Sequence, residues 1–189
     1  MPRDNGGRRM RWRGIVVCIA LAAVASGTSV SIAQSDGGAL PLLEQRLAKL
    51  ADQMRLGLSI ASVAVFSPTV GDARGQAQQL ILLLRGDPGR LVPGLVPQAT
   101  SFPDWIEGHS LGPDVRLSLL NAATNVRALL ELALEEAVSA NRSRTLAKAK
   151  EDLLGVYALL LAAWGEPVNG VGIPGLVMIL RSFAIPLTV

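Results

Sequence analysis

The stretch from Pro113 to Trp164, PDVRLSLLNAATNVRALLELALEEAVSANRSRTLAKAKEDLLGVYALLLAAW, decides the fold. Small and apolar residues recur in it mostly at steps of four and three, the spacing that places side chains on one face of a helix. The first run comprises Leu119, Ala123, Val126, Leu130, Ala133, Ala137 and Ala140, and the second comprises Leu146, Ala149, Leu153, Tyr157, Leu160 and Trp164. The polar residues 141–143 separate the runs. The pattern predicts two antiparallel helices that cover each other's apolar face.

Two further helices are predicted before this hairpin. The first begins at Pro41 and ends before Ser67-Pro68, because proline disfavours a helical residue before it. Its apolar face is Leu43, Leu47, Leu50, Met54, Leu58, Ala61 and Val65. The second runs from a capping Asp72 to Arg85, and its apolar end, residues 80–84, is expected deep in the bundle.

Residues 86–112 hold four prolines and are predicted to be one long loop packed over the bundle. Residues 174–185 are predicted to form a short hydrophobic helix. It is buried against the bundle in one interpretation and contacts a membrane or a partner in the other. The predicted fold class is therefore all-α: an antiparallel, up-down bundle of about four main helices, a short hydrophobic C-terminal helix and one long Pro/Gly-rich loop.

The N-terminus is typical of a secretory signal peptide, predicted over residues 1–33. Five arginines precede an apolar run, Ile15–Ala25, and small residues follow, ending in Ser31-Ile32-Ala33. Cleavage after Ala33 would remove five of 18 basic and one of 15 acidic residues, so the formal charge falls from +3 to −1. The basic character therefore belongs to the signal and does not indicate a nucleic-acid partner, and none is predicted. Residues 34–189 are predicted to form one domain, exported to the periplasm, cell surface or medium of a bacterium.

Two short motifs resemble catalytic or cofactor signatures, and both lack the required context. Residues 108–112, GHSLG, match the serine elbow of α/β-hydrolases, but no strand precedes them and the only histidine, His109, lies inside the motif. Residues 170–175, GVGIPG, match the dinucleotide fingerprint, but no acidic residue follows them. One histidine and one cysteine, Cys18, cannot supply a zinc site. The sequence thus predicts neither an enzyme nor a cofactor.

Three hypotheses for function follow. The first is an exported, non-catalytic protein with a structural or interaction role and an unidentified protein partner. The second is a binding module for a small apolar ligand or lipid between the bundle helices, with the long loop covering the site where it meets the hairpin. Because loops carry binding residues more often than core helices, the candidate ligand-binding residues are Phe102, Trp105, His109 and Ser110. The third is peripheral membrane contact through Pro174–Val189.

The signal peptide gives a direct prediction. Expressed with its own N-terminus in a bacterial host, the protein should accumulate outside the cytoplasm with the mass of a chain that begins at Gln34. Replacing Ala33 by aspartate should block that processing, since the −1 position requires a small residue. Intact mass spectrometry of the periplasmic and medium fractions checks both results. An unprocessed wild-type chain confined to the cytoplasm would contradict the prediction.

Overall fold

The computed structural model describes residues 39–87, 89, 92–108, 111–165 and 174–183, and it confirms the all-α class. Four long helices build the bundle, and three short ones lie against it. In chain order the helices are α1 (Ala39–Ala64), α2 (Val70–Arg85), α3 (Leu95–Thr100), α4 (Phe102–Glu107), α5 (Pro113–Arg142), α6 (Leu146–Trp164) and α7 (Leu176–Ser182). The predicted signal peptide lies outside the described residues.

The four long helices form a ring in which each contacts the next. α1 packs on α2, α2 on α5, α5 on α6 and α6 on α1, so α1 and α5 lie diagonally across the bundle. Long polar side chains connect the ends. The Arg74 guanidinium donates to the Ser143 carbonyl oxygen at 2.6 and 2.9 Å, which ties the start of α2 to the end of α5. The Arg55 guanidinium lies 5.3 Å from the ring centroid of Trp164, between α1 and α6.

The hairpin spacing is confirmed most closely on α5. All seven residues predicted for its inner face are buried, and Ala122 joins them. Four of the seven are alanines, which allow neighbouring helices to approach closely. On α6 the buried face is rotated slightly from the predicted one. Leu146 and Tyr157 are only partly buried, whereas Val156 and Ala163 are fully buried.

The starts of α1 and α2 differ slightly from the predicted ones. α1 begins at Ala39 rather than at Pro41. Proline is tolerated within the first turn of a helix because the N–H groups of that turn have no partner inside the helix, so the missing one is not needed. Thr69, not Asp72, caps α2: its Oγ1 accepts from the Asp72 amide at 3.1 Å and donates to the Asp72 carboxylate at 2.6 Å. The predicted helix stops are confirmed at Gly86 and Gly165, whose φ angles of 97° and 78° favour glycine.

The segment predicted as one long loop contains more regular structure than expected. Gly86–Asp87 and Val92–Pro93 form a minimal antiparallel pair, β1 and β2, and α3 and α4 follow. The prediction that it packs on the bundle is confirmed, because four of its side chains are buried in the common core: Leu95, Ala99, Phe102 and Ile106. A side chain at Gly94 would collide with the backbone of Gly86 and Arg85, so this turn requires glycine.

Two hydrophobic segments have different surroundings. In the apolar end of α2, Leu80, Ile81 and Leu84 are buried, but Leu82 is exposed, so the expectation that this end lies wholly inside the bundle is wrong on one side. A helix with neighbours on only part of its circumference keeps one outward position. In α7, by contrast, Leu176, Val177, Ile179 and Leu180 are all buried. Among the described helices, none is long and apolar enough to cross a membrane.

Candidate functional site

Two of the four residues predicted to bind a ligand lie in the described part of the chain. Phe102 and Trp105 both lie on α4, and Phe102 is buried in the core. The Trp105 ring packs edge-on against Phe183, with 5.0 Å between centroids and 73° between planes. Both aromatic side chains therefore pack against the bundle, and Trp105 joins α4 to the residue that follows α7. His109 and Ser110 lie outside the described residues.

The most concentrated polar chemistry lies at the other end of α5, where the hairpin turns. We call Ser139, Ser143, Lys148 and Asp152 the hairpin-end cluster. Asp152 is only 2% exposed, although the charged side chains of an amphipathic helix ordinarily lie on its solvent face. A buried carboxylate is costly unless it is paired and hydrogen-bonded. The cluster supplies both kinds of partner.

Each oxygen of the Asp152 carboxylate has its own partners. Oδ1 lies 2.6 Å from the Lys148 ammonium, one helical turn earlier on α6. Oδ2 accepts from the Ser139 hydroxyl at 2.9 Å. The Ser143 hydroxyl lies 3.1 Å from Oδ2 and 3.0 Å from the Ser139 carbonyl oxygen, and its proton serves one of the two. Asp152 thus links the last turn of α5 to the first two turns of α6.

Neighbouring helices complete this arrangement. The Ser143 carbonyl oxygen, which has no partner within α5, accepts both hydrogen bonds from Arg74 on α2. The Asn141 amide donates to the Gln78 side-chain oxygen at 3.3 Å. The end of α5 and the turn that follows it therefore hold three helices together, because their polar groups are shared with α2 as well as α6.

Two titratable groups respond to the buried charge. Partial burial raises the pKa of Glu136 above its ordinary value, and the nearby Asp152 carboxylate raises it further. The pKa of Lys148 is raised for a different reason. Its hydrogen bond to Asp152 raises the pKa of the ammonium, with a smaller contribution from Glu151. Its stabilising effect is therefore fully present below the ordinary pKa of 10.5 and is lost as the pH rises through the raised value.

Serine beside lysine also occurs in hydrolases, where a neutral lysine takes the proton of the serine. The hairpin-end cluster has the opposite electrostatics. The raised pKa of Lys148 keeps it protonated, and both serine hydroxyls lie within hydrogen-bonding distance of a carboxylate already paired with that lysine. The cluster is therefore suited to holding a charge in place rather than to activating a nucleophile.

The sequence contained a signal for Asp152 that the hairpin pattern did not use. Ala149, Asp152, Leu153 and Val156 follow one another at steps of three, one and three, which places the aspartate on the buried face. An acid in that register, four residues after a lysine, indicates a buried ion pair. The hairpin pattern was drawn from small and apolar residues alone and therefore did not include it.

A second feature is apolar and lies on the outer surface of α1. We call Leu56, Ser59, Val63 and Phe66 the α1 stripe; Phe66 lies in the turn that follows the helix. Leu56, Val63 and Phe66 are 53%, 60% and 82% exposed. No charged residue occurs between Leu56 and Phe66. The inner face of the same helix is buried through Leu50, Met54 and other core residues, so α1 is apolar on two sides.

Comparison with known proteins adds no assignment: no family model, curated protein or solved structure matches this chain. Within the described ranges, no group of three or more histidine, cysteine, aspartate or glutamate side chains is arranged to hold a metal ion. The α1 stripe and the hairpin end are the features from which a function can be argued.

Replacing Lys148 by methionine tests the hairpin-end cluster. It should lower the free energy of unfolding by about 2 kcal/mol, less than the 3–5 kcal/mol of a fully buried pair, because Lys148 is half exposed. Methionine keeps most of the aliphatic stem, so the loss reports the charge. Urea unfolding monitored by circular dichroism measures it.

Lys150→Met is the matched control, since Lys150 has no ion pair with a described residue, and it should be nearly neutral. Adding Asp152→Asn to Lys148→Met should restore part of the loss, because it removes the uncompensated charge. Equal stability of Lys148→Met and Lys150→Met would show that Asp152 does not depend on Lys148.

Proposed function

We propose that this chain is an exported, non-catalytic helical-bundle protein that acts through protein–protein contact, with the α1 stripe as the surface on which two copies associate. The observation that carries the proposal is the exposure of Leu56 and Val63 on one line of α1 and of Phe66 in the turn that continues it. Single exposed apolar residues are ordinary on protein surfaces. A line of three with no intervening charge supports an interaction site.

The spacing of the stripe supports a helical partner. Its positions, 56, 59, 63 and 66, follow steps of three, four and three, as the core positions of a coiled coil do. Lys49 and Asp52 continue the same line toward the start of α1 with charged residues. The apolar seam is therefore confined to the second half of the helix. Its length suits a short helix–helix contact rather than an extended coiled coil.

The chemistry of the stripe supports a second copy as the partner. An uncharged apolar surface is complementary to itself, and most soluble oligomers are symmetric assemblies of one chain. In an antiparallel pair centred midway between Ser59 and Val63, Leu56 would meet Phe66 of the other copy and Ser59 would meet Val63, and the small serine would permit close approach. A membrane surface is a weaker candidate, because anionic lipid is normally recognised by basic residues beside the apolar ones and this stripe has none.

The remaining parts of the proposal have separate support. The basic and apolar pattern of residues 1–33 supports export. A non-catalytic role is supported by the charge balance of the hairpin-end cluster, in which Lys148 is held protonated beside Asp152. Its hydrogen bonds connect helices, as expected for a structural element.

Sedimentation velocity of the mature chain over a wide range of concentrations tests the association. The wild-type protein should show a reversible monomer–dimer equilibrium. Replacing both Val63 and Phe66 by serine should weaken it at least tenfold, because burying each apolar side chain contributes about 1.5–3 kcal/mol.

Leu117→Ser is the matched control. Leu117 is 62% exposed, similar to Val63, but lies on α5, diagonally across the bundle from α1. This variant should dimerise like the wild type, and circular dichroism should show that all variants keep their helix content. A wild-type chain that is monomeric throughout, or a dimer weakened equally by Leu117→Ser, would overturn the proposal.

A further inference from the structure

An open groove of about 660 Å³ runs along α5 near its end. Its apolar floor is formed by Leu134 and Val138, both partly buried. Arg85, from the last turn of α2, lines one part, and Lys148, from the first turn of α6, lines another. Arg142, in the last turn of α5, completes the basic lining. The groove lies on a different surface from the α1 stripe.

Two of these cations have no described counterion. Lys148 is paired with Asp152 and Glu151, but neither Arg85 nor Arg142 forms an ion pair or side-chain hydrogen bond with a described residue. Each lies at the end of a helix, where a basic residue interacts favourably with the dipole. The helix dipole explains why Arg85 and Arg142 are basic, but it does not explain why arginines from two different helices lie around one apolar floor.

Polar residues also lie beside the apolar floor. Ser139 and Ser143 line the groove, but their hydroxyl groups are already hydrogen-bonded within the hairpin-end cluster, so the two arginines remain as the donors for a ligand. Glu135 contributes one negative charge. Lys148 is offset by Asp152 and Glu151, so the two arginines, which have no described counterion, are the groups that can meet an anion.

We propose that this groove binds an elongated anionic amphiphile, a carboxylate attached to an unbranched apolar chain. The apolar part would lie on Leu134 and Val138, and the carboxylate would meet Arg142 or Arg85. Leu134 and Arg142 are eight residue steps apart on α5, about 12 Å at 1.5 Å per step. That length suits a medium-length acyl chain. A guanidinium suits a carboxylate because it can donate two parallel hydrogen bonds.

Titration of the mature chain with decanoate, followed by calorimetry and by amide chemical shifts, tests this inference. Decanoate should bind with one site per chain, and the largest shifts should fall on residues 134–143. Two probes separate the contributions: acetate has the carboxylate without the chain, and decyltrimethylammonium has the chain with the opposite charge. Both should bind at least tenfold more weakly than decanoate.

Variants locate the site. Arg142→Gln should weaken decanoate binding about fivefold, the effect of an exposed ion pair worth about 1 kcal/mol. Val138→Asp should weaken it further by placing a charge on the apolar floor. Arg144→Gln is the matched control, because Arg144 is exposed two residues away and does not line the groove. The stripe variant Val63→Ser/Phe66→Ser should bind decanoate normally, so this result is independent of the proposed dimer.

Several outcomes would overturn the inference. Equal binding of acetate would show that the floor is unused, and equal binding of decyltrimethylammonium would show that the arginines are unused. Loss of affinity in Arg144→Gln equal to that in Arg142→Gln would show a diffuse charge effect. Binding of an acidic peptide at the groove with no binding of decanoate would indicate a protein partner instead.

Discussion

The close packing of α5 and α6 is the contact on which the rest of the bundle depends. Ala133, Ala137 and Ala140 lie on the buried face of α5, and their small side chains bring the helix axis near its neighbours. α2 packs on the other side of the same helix, and α1 closes the ring between α2 and α6. A bulkier inner face on α5 would therefore displace α2 and α6 directly, and α1 through its contacts with both.

The two ends of this hairpin are stabilised by different chemistry. At the turn, Asp152 draws hydroxyl and ammonium groups from α5 and α6 around one buried carboxylate. At the opposite end, apolar contacts dominate: Trp105 packs on Phe183, and α7 buries nearly all of its apolar side chains. Polar groups thus fix the geometry of the turn, where backbone carbonyls need partners, and hydrophobic burial closes the end where short helices cover the core.

Much of this architecture could be predicted from periodicity, because a helix of thirty residues repeats its pattern many times. The face of α5 from Leu119 to Ala140 is an example. The short α3 and α4 were missed since six residues contain too few turns to show a period. Asp152 was missed because a charged residue is ordinarily expected on the solvent face, although its position between Ala149 and Val156 places it on the buried face. The core face of α1 through Leu50, Met54 and Ala61 was predicted correctly, but the exposure of the apolar residues outside it was not, because the sequence does not show which neighbours cover them.

The close packing of α5 is tested most directly by comparing the free energies of unfolding of Ala137→Leu and Ala128→Leu, measured by chemical unfolding. Ala137 is fully buried on the inner face of α5, and Ala128 is exposed on the same helix. Overpacking should cost Ala137→Leu about 1–3 kcal/mol, whereas Ala128→Leu should change stability little. If Ala137→Leu were as stable as Ala128→Leu, α5 would not be closely packed against its neighbours, and the account of the bundle would be wrong.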